Sequence, residues 1–328
     1  MKVGLIYGGI DVEEVHNRKT LKEITDVLDN YQIKYQNIYL NDKIKKQLID
    51  SCDLFLVIDS NVLNYFQKFG IFKYVYDNNF DFIGQRDEIC RILRDKHYTN
   101  FLLRSHGVST PKSFISNINK KSQKYSYPVI IKDNYGSSSS DVYICDDYTD
   151  VKKKIKILLS KNKIPLCENY IEGREFTCAY IRVCGIDLIL DPLEIEYKGR
   201  IYDFETKNIN LDNKLIVYPK LSKLLFKKIK IIVSQANRIL NTQYYSRTDF
   251  KINNGNIILI EVNGEPVLAK DDFIARSLYK LGFEYKDLIF GLLANSSIFL
   301  NYIKKHRREL YSYIKKLEYR ILQLSKNG

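Results

Sequence analysis

The chain has 328 residues and a formal net charge of +13, from 52 Lys and Arg against 39 Asp and Glu. With 45% hydrophobic and 28% charged residues, its composition is that of a globular protein and excludes a disordered or collagen-like chain. The length predicts two or three subdomains, and the apolar runs are too short to span a membrane. The N-terminus has the pattern of a strand and a turn rather than a signal peptide, so a cytoplasmic protein is expected.

The first eighty-odd residues alternate between strand and helix patterns. Leu21, Ile24, Val27 and Leu28 recur at helical spacing. Strands are predicted over residues 3–7, 33–40, 54–58 and 80–83. Strand, helix and strand in this order predict a parallel sheet covered by helices.

The rest of the chain mixes the two kinds of element. Helices are predicted over 85–107, 151–159, 221–240 and beyond about 271, and strands over 128–132, 142–145, 165–171, 175–183 and 186–190. A hairpin is predicted over 249–262 around the turn Asn253–Gly255. These patterns predict divisions of the chain into residues 1–84, 85–183, 184–299 and 300–328.

The positive charge is concentrated at the C-terminus. Residues 300–328 contain eight Lys and Arg against two acids, a net charge of +6, and the other 299 residues carry +7. A basic excess is compatible with nucleic acid, an acidic membrane surface or a phosphorylated substrate, and equally with a compositional bias toward Lys. Because no motif of a known nucleic-acid-binding fold is present, no nucleic-acid partner is expected.

The segment with the most chemical content is the predicted hairpin. Asp249 lies on one strand, and Glu261 and Asn263, two residues apart, lie on the other. Oxygen ligands of this kind suit Mg²⁺, which often shares them with substrate phosphates. Arg247 shares the face of Asp249 and could stabilise a developing negative charge. The alternative is a solvated hairpin with ordinary surface charges.

Two further segments suggest a nucleotide. A predicted strand ending at Lys132 is followed by a polar loop that contains Gly136, Ser137 and Ser138, and such a loop can fold over phosphate oxygens. It does not match the P-loop pattern, and a flexible surface loop is the alternative. Glu168 and Glu175 flank a predicted turn and could bind ribose or amino groups, or simply be solvated.

Together, in this order, the segments resemble the D-alanine–D-alanine ligase family of the ATP-grasp superfamily over roughly residues 1–290. The matching stretches are Gly8-Gly9 with Glu13, Asp95-Lys96 with Gly107-Val108 and Pro111, Pro128 to Lys132 with Gly136-Ser137-Ser138, Glu168 with Gly173 and Glu175-Phe176-Thr177, Tyr202 to Lys207, and Arg247 and Asp249 with Glu261, Asn263 and Pro266. Each match is modest, and their shared order makes chance agreement very improbable.

The resemblance implies a role for each matching residue. The ATP-binding set is Lys96 and Lys132 at the phosphates, Gly136, Ser137 and Ser138 in a covering loop, Glu168 and Glu175 at adenine and ribose, and Lys207 near the transferred phosphate. It implies Asp249, Glu261 and Asn263 as ligands of Mg²⁺ (or Mn²⁺). The implied catalytic set is Arg247 at the tetrahedral intermediate, Lys207, Ser137, and Glu13 at the ammonium group of the first substrate.

The resemblance also implies the fold and the reaction. The fold class is α/β (α+β ATP-grasp), with an N-terminal parallel α/β domain over 1–84, ATP-grasp subdomains over 85–183 and 184–299, and a basic helical extension over 300–328. The implied activity is an ATP-dependent carboxylate–amine ligation through an acyl phosphate, with small amino-acid or amine substrates. Family members are usually dimers, so a homodimer is implied.

The departures from the family pattern fall on the substrate side. The family's HGxxGEDG segment is absent, Asn208 replaces a tyrosine, and Asp272 stands where the family has a serine that holds the second substrate's carboxylate. Because two carboxylates repel each other, either Lys270 supplies a cation between them or the nucleophile lacks a carboxylate. The alternatives to D-alanine–D-alanine ligation are therefore a different amino-acid or amine pair, or an inactive nucleotide-binding regulator.

Overall fold

The structure, a computed structural model, describes residues 1–8, 12–39, 49–58, 79–116, 126–137, 139, 141–202 and 214–327. The side chains of Val12, Glu13, Lys214 and Asn327 are outside this description. The described residues form three β-sheets with helices packed against them.

The N-terminal sheet is parallel, as predicted. Its strand order is β2-β1-β3-β4, with β1 Val3–Tyr7, β2 Tyr35–Tyr39, β3 Leu54–Val57 and β4 Asp81–Ile83. Helix α1, Val12–Asn30, connects β1 to β2 and buries Leu21, Ile24 and Leu28 against the sheet. All four residues of β3 are buried, which is the pattern of a strand covered on both faces.

The central sheet is antiparallel and has the order β5-β8-β6-β7. Its strands are β5 Ser113–Ile115, β6 Val129–Asp133, β7 Val142–Cys145 and β8 Pro165–Asn169. Helix α4, Tyr148–Ser160, covers one face with Val151, Ile155 and Leu158. The three-residue strand β5 was not predicted, because so short a segment has no readable alternation.

The third sheet has six strands, with the order β12-β11-β9-β13-β14 and β10 paired to β9. The strands are β9 Arg174–Val183, β10 Ile186–Ile189, β11 Leu193–Tyr197, β12 Lys214–Val217, β13 Tyr245–Asn253 and β14 Asn256–Asn263. Strands β11 and β12 were not predicted. Strands β9 and β10, which lie on either side of the predicted division between residues 183 and 184, are antiparallel neighbours in this sheet.

Three helices flank this sheet: α2 Asp87–Arg94, α3 Lys96–Ser105 and α5 Lys223–Ile239. One helix was predicted over 85–107, and the structure instead has two. They meet at Asp95, whose carboxylate accepts a hydrogen bond from the Tyr98 amide and so starts α3 as its N-cap. This break places Lys96 at the first position of a helix.

The helical C-terminus is confirmed. It consists of α6 Phe273–Lys280, α7 Tyr285–Leu293, α8 Ser297–His306 and α9 Arg308–Asn327. The basic segment is an integral part of the fold, because its apolar face is buried in one core with the N-terminal sheet and β9, through Ile303, Leu310, Ile314, Leu317 and Ile321. The helices of the described ranges are all too short or too polar to cross a membrane.

Candidate active site

A cleft lies where the central and six-stranded sheets face each other. It comprises a larger cavity of about 240 Å³ and an adjoining smaller cavity of about 120 Å³. The smaller cavity extends to the central sheet, and the larger one reaches α1, α2 and α6. Eight residues line both cavities: Lys96, Gly136, Ser137, Ser139, Glu175, Tyr202, Asp249 and Glu261. All of them except Ser139 and Tyr202 were predicted as site residues from the sequence.

The predicted metal ligands lie on one face of the hairpin β13–β14. Asp249 is directly opposite Glu261, and Arg247 is directly opposite Asn263. This register depends on a β-bulge. Between the turn and Phe250 the pairing is regular, with Phe250 opposite Leu259, and Ile260 is then the extra residue that brings Glu261 opposite Asp249.

The Asp249 carboxylate accepts four hydrogen bonds from three neighbouring side chains. These come from Arg247 Nε at 3.0 Å and Nη2 at 2.9 Å, from the Thr177 hydroxyl at 2.7 Å, and from Asn263 Nδ2 at 3.1 Å. Burial would lower the pKa of Arg247, but the carboxylates of Asp249, Asp272 and Glu261 together outweigh it and raise that pKa above its usual value. The guanidinium is therefore a fixed positive charge in the cleft.

The donor chemistry of this face fits Mg²⁺. Two carboxylates and one carboxamide offer hard oxygen ligands. The orientation of the Asn263 side-chain amide follows from the hydrogen bonds around it, so turning the amide over would present its oxygen to a cation. No cluster of three or more His, Cys, Asp or Glu side chains suited to a metal occurs in the described ranges. A cation here would therefore need Asn263 and oxygens from a substrate or water.

Lys96 connects the loop at Gly136 to the acidic face of the hairpin. Its ammonium donates to the Gly136 carbonyl and lies 3.1 Å from Glu261 Oε1, and its side chain is buried. The neighbouring Asp95 accepts from Asn134 Nδ2 at 3.0 Å and from the Tyr135 hydroxyl at 2.8 Å. The start of α3 thus fixes the beginning of the loop.

Lys132 and Glu168 form a buried ion pair across neighbouring strands of the central sheet. Lys132 Nζ lies 2.7 Å from Glu168 Oε2, and the side chains are only 7% and 3% exposed. Asn100 Nδ2 donates to the other carboxylate oxygen at 3.0 Å. Both charged groups line the smaller cavity.

Glu175 is held by residues that sequence reasoning had not singled out. The Tyr197 hydroxyl donates to Glu175 Oε2 at 2.7 Å, and Lys251 Nζ lies 3.7 Å from the same oxygen. The rings of Tyr197 and Tyr202 stack with their centres 5.4 Å apart. Burial, together with the Glu175 charge, raises the pKa of Tyr197, so this hydroxyl stays protonated and donates. Of these residues, only Lys251 could have been found from the sequence, because it lies two residues after Asp249 and therefore on the same face of the strand.

Some predicted site residues lie outside the described part of the chain, namely Lys207, Ser138 and the side chain of Glu13. Two residues without an assigned role, His16 of α1 and Asp272 at the start of α6, line the larger cavity. His16 follows the first strand of the parallel sheet, where ligand-contacting residues of such sheets are common.

Known proteins share both this sequence pattern and this fold. Residues 98–294 match the family described as D-ala D-ala ligase C-terminus. A D-alanine–D-alanine ligase of Pelagibacter ubique is 31% identical over 216 residues, which is 63% of this chain and 69% of that protein. One from Clostridium botulinum strain Hall is 24% identical over 305 residues, covering 90% of this chain and 98% of that protein.

Solved structures agree in fold. The D-alanine–D-alanine ligase from Bacillus anthracis superposes with a TM-score of 0.75 at 21% identity, covering 93% of this chain and 99% of that one. The VanG D-Ala:D-Ser ligase from Enterococcus faecalis gives 0.73 at 16% identity, covering 89% and 98%. The fold is thus that of an ATP-grasp ligase. The chain belongs to the D-alanine–D-alanine ligase family, which confirms the resemblance read from its motifs.

Proposed function

We propose that this protein is an ATP-dependent carboxylate–amine ligase that forms an amide bond through an acyl phosphate. Family membership supports this class of reaction. The observation that carries it is the convergence in one cleft of an oxygen-ligand face, buried lysines and a fixed guanidinium.

ATP is assigned to the smaller cavity and the part of the cleft that it shares with the larger one. Lys132 and Lys96 would approach the phosphates, with the loop at Gly136 and Ser137 covering them. Glu168 and Glu175 would lie toward the base and ribose. Because each lysine is already oriented by a carboxylate, little side-chain freedom is lost when a phosphate binds.

Asp249, Glu261 and Asn263 would hold Mg²⁺, or Mn²⁺, against the phosphates. The ion would neutralise charge that gathers there during phosphoryl transfer. The Thr177 hydroxyl keeps the Asp249 carboxylate oriented. Arg247 lies beside this face, where a positive charge can stabilise an oxyanion.

The chemistry has two steps. A substrate carboxylate oxygen attacks the γ-phosphorus of ATP, and ADP leaves. An amine nitrogen then attacks the acyl carbon, the bond to the phosphate oxygen breaks, inorganic phosphate leaves and the nitrogen gives up a proton. Roles for Lys207 near the phosphate, Glu13 at the first substrate's ammonium and Ser137 in closing the cleft rest on family resemblance, as does the homodimer.

Turnover assays test this proposal. ADP formation is measured with a panel of amino acids and amines, and products are identified by mass spectrometry. Asp249→Asn and Glu261→Gln are each expected to lower the rate by about 100-fold or more without changing the circular dichroism spectrum. The matched control is Asp146→Asn, which neutralises an exposed acid bonded to Arg200 and should leave the rate unchanged.

Each outcome bears on a different part of the proposal. Wild-type turnover by Asp249→Asn refutes the metal-site assignment. A wild-type protein that yields neither ADP nor amide with any member of the panel refutes the ligase itself.

A further inference from the structure

Asp272 fills an anion-binding position with a carboxylate that belongs to the chain itself. It is the N-cap of α6, and its Oδ1 accepts a hydrogen bond from the Phe273 amide at 2.5 Å. Both residues line the larger cavity. The free backbone amides at the start of a helix attract negative groups, and at the start of α6 the Asp272 carboxylate is itself that negative group.

The guanidinium of Arg247, which also lines the larger cavity, is engaged elsewhere. Arg247 is bonded through two nitrogens to Asp249, and its central carbon lies 5.1 Å from the centre of the Phe273 ring. Burial raises the pKa of Asp272, and the charges of Arg247 and His16, which line the same cavity, oppose this only in part. In the described part of the chain, Asp272 forms no ion pair and Oδ2 has no donor, so this oxygen can accept a hydrogen bond from a ligand.

Lys270, the other cation considered from sequence, lies away from the cavity. It is exposed, its ammonium is 5.5 Å from the centre of the Tyr285 ring, and its backbone amide donates to Glu23. Lys19, the nearest lysine on α1, is bonded to Asp271 at 2.7 Å. Neither lysine lines the cavity, so neither can stand between Asp272 and a substrate carboxylate, and the two carboxylates would repel each other.

We propose that the acceptor of this ligase carries an N–H-bearing nitrogen where an α-amino acid carries its carboxylate, and that Asp272 binds that nitrogen. The acceptor is then a 1,2-diamine or an amino amide. Its amino group attacks the acyl carbon, phosphate leaves and a proton leaves the attacking nitrogen, while the second nitrogen remains hydrogen-bonded to Oδ2. This assignment rests on the proposed ligase function and names the class of its second substrate.

The test separates the two proposals. Hydroxylamine traps an acyl phosphate as a hydroxamate and therefore reports the first step for any carboxylate donor, independently of the natural acceptor. With the donor so identified, kcat/KM is measured for matched acceptor triples built on the alanine, serine and lysine side chains in both stereochemical forms. Each triple contains the amino acid, its amide and the corresponding 1,2-diamine.

Wild-type protein is expected to favour an amide or a diamine over the matched amino acid. Asp272→Asn and Asp272→Ser keep a helix-capping side chain and remove the charge, so both should fold. In each, the preference for the diamine should fall by at least about tenfold. Asp271→Asn is the matched control, because this neighbouring acid faces Lys19 rather than the cavity, and it should retain the wild-type preference.

Several results would overturn the assignment. They are wild-type preference for the amino acid, failure to use any amide or diamine while hydroxamate forms, or an unchanged preference in both Asp272 variants. Absence of hydroxamate with every carboxylate tested counts instead against the ligase proposal.

Discussion

The buried pair Lys132–Glu168 gives a prediction that separates stability from catalysis. At 2.7 Å, two unit charges attract by about 6 kcal/mol at an effective dielectric constant of about 20, and desolvation of both groups offsets much of this. Lys132→Met removes the attraction but leaves Glu168 charged and 3% exposed. Breaking such a pair costs about 3–5 kcal/mol, a large share of a typical domain's stability.

A double variant identifies the cause of that loss. Lys132→Met with Glu168→Gln removes the uncompensated charge and keeps an oxygen to accept from Asn100. It should recover at least half of the lost stability. ATP turnover should stay low in both variants if Lys132 also contacts phosphate, as proposed.

Urea unfolding followed by far-ultraviolet circular dichroism measures the stability, because the chain has no tryptophan to report by fluorescence. Lys22→Met is the matched control. It breaks an ion pair of similar length, 2.5 Å, between side chains that are 75% and 43% exposed, and should cost less than about 1 kcal/mol. Equal effects of Lys132→Met and Lys22→Met would refute the argument from burial, and normal turnover in the double variant would make Lys132 purely structural.

Two further predictions concern the C-terminal helices and the central sheet. Ile314→Ala should lower the free energy of unfolding by about 2–5 kcal/mol, because Ile314 is 1% exposed in the main core; Lys316→Ala on the same helix is the control, and an equally small effect of both would mean that α9 is an appendage. Asp141 accepts from Lys161, Lys163 and the Tyr143 hydroxyl, and these groups outweigh burial and lower its pKa. Its contribution, about 1–2 kcal/mol, is therefore present above the unfolded pKa of about 4 and lost as pH falls below it. The stability difference between wild type and Asp141→Asn should be constant from pH 7 to 5 and shrink below pH 4; a difference that grows with acid would contradict this sign.

The sequence by itself determined most of the helices and strands, and the family. Buried strands such as Leu54–Val57 and the amphipathic helix Lys223–Ile239 have patterns that are readable locally, because the side-chain periods of strand and helix differ. Short strands such as Ser113–Ile115 contain too few residues to show a period. They form because a neighbouring strand supplies their hydrogen bonds.

Tertiary structure decided the geometry of the site. The two-residue turn at Asn254 and Gly255, both with positive φ, would by regular pairing place Ile260 opposite Asp249 and turn Glu261 to the other face. A bulge at Ile260 reverses this. Residues 257 to 260 are all apolar, so the sequence does not show where the side chains change face. In the structure the buried positions are Ile257 and Leu259 before the bulge and Val262 after it.

The same holds for the charges around the cleft. Lys96 contacts Glu261 and Lys132 contacts Glu168, although these partners are 165 and 36 positions apart in the sequence. Asp272 caps its own helix because of the direction of that helix end. Motifs specify which charges are present. Only the folded chain decides which of them neutralise each other and which remain to meet a substrate, because charge interactions depend on distance and burial rather than on order in the sequence.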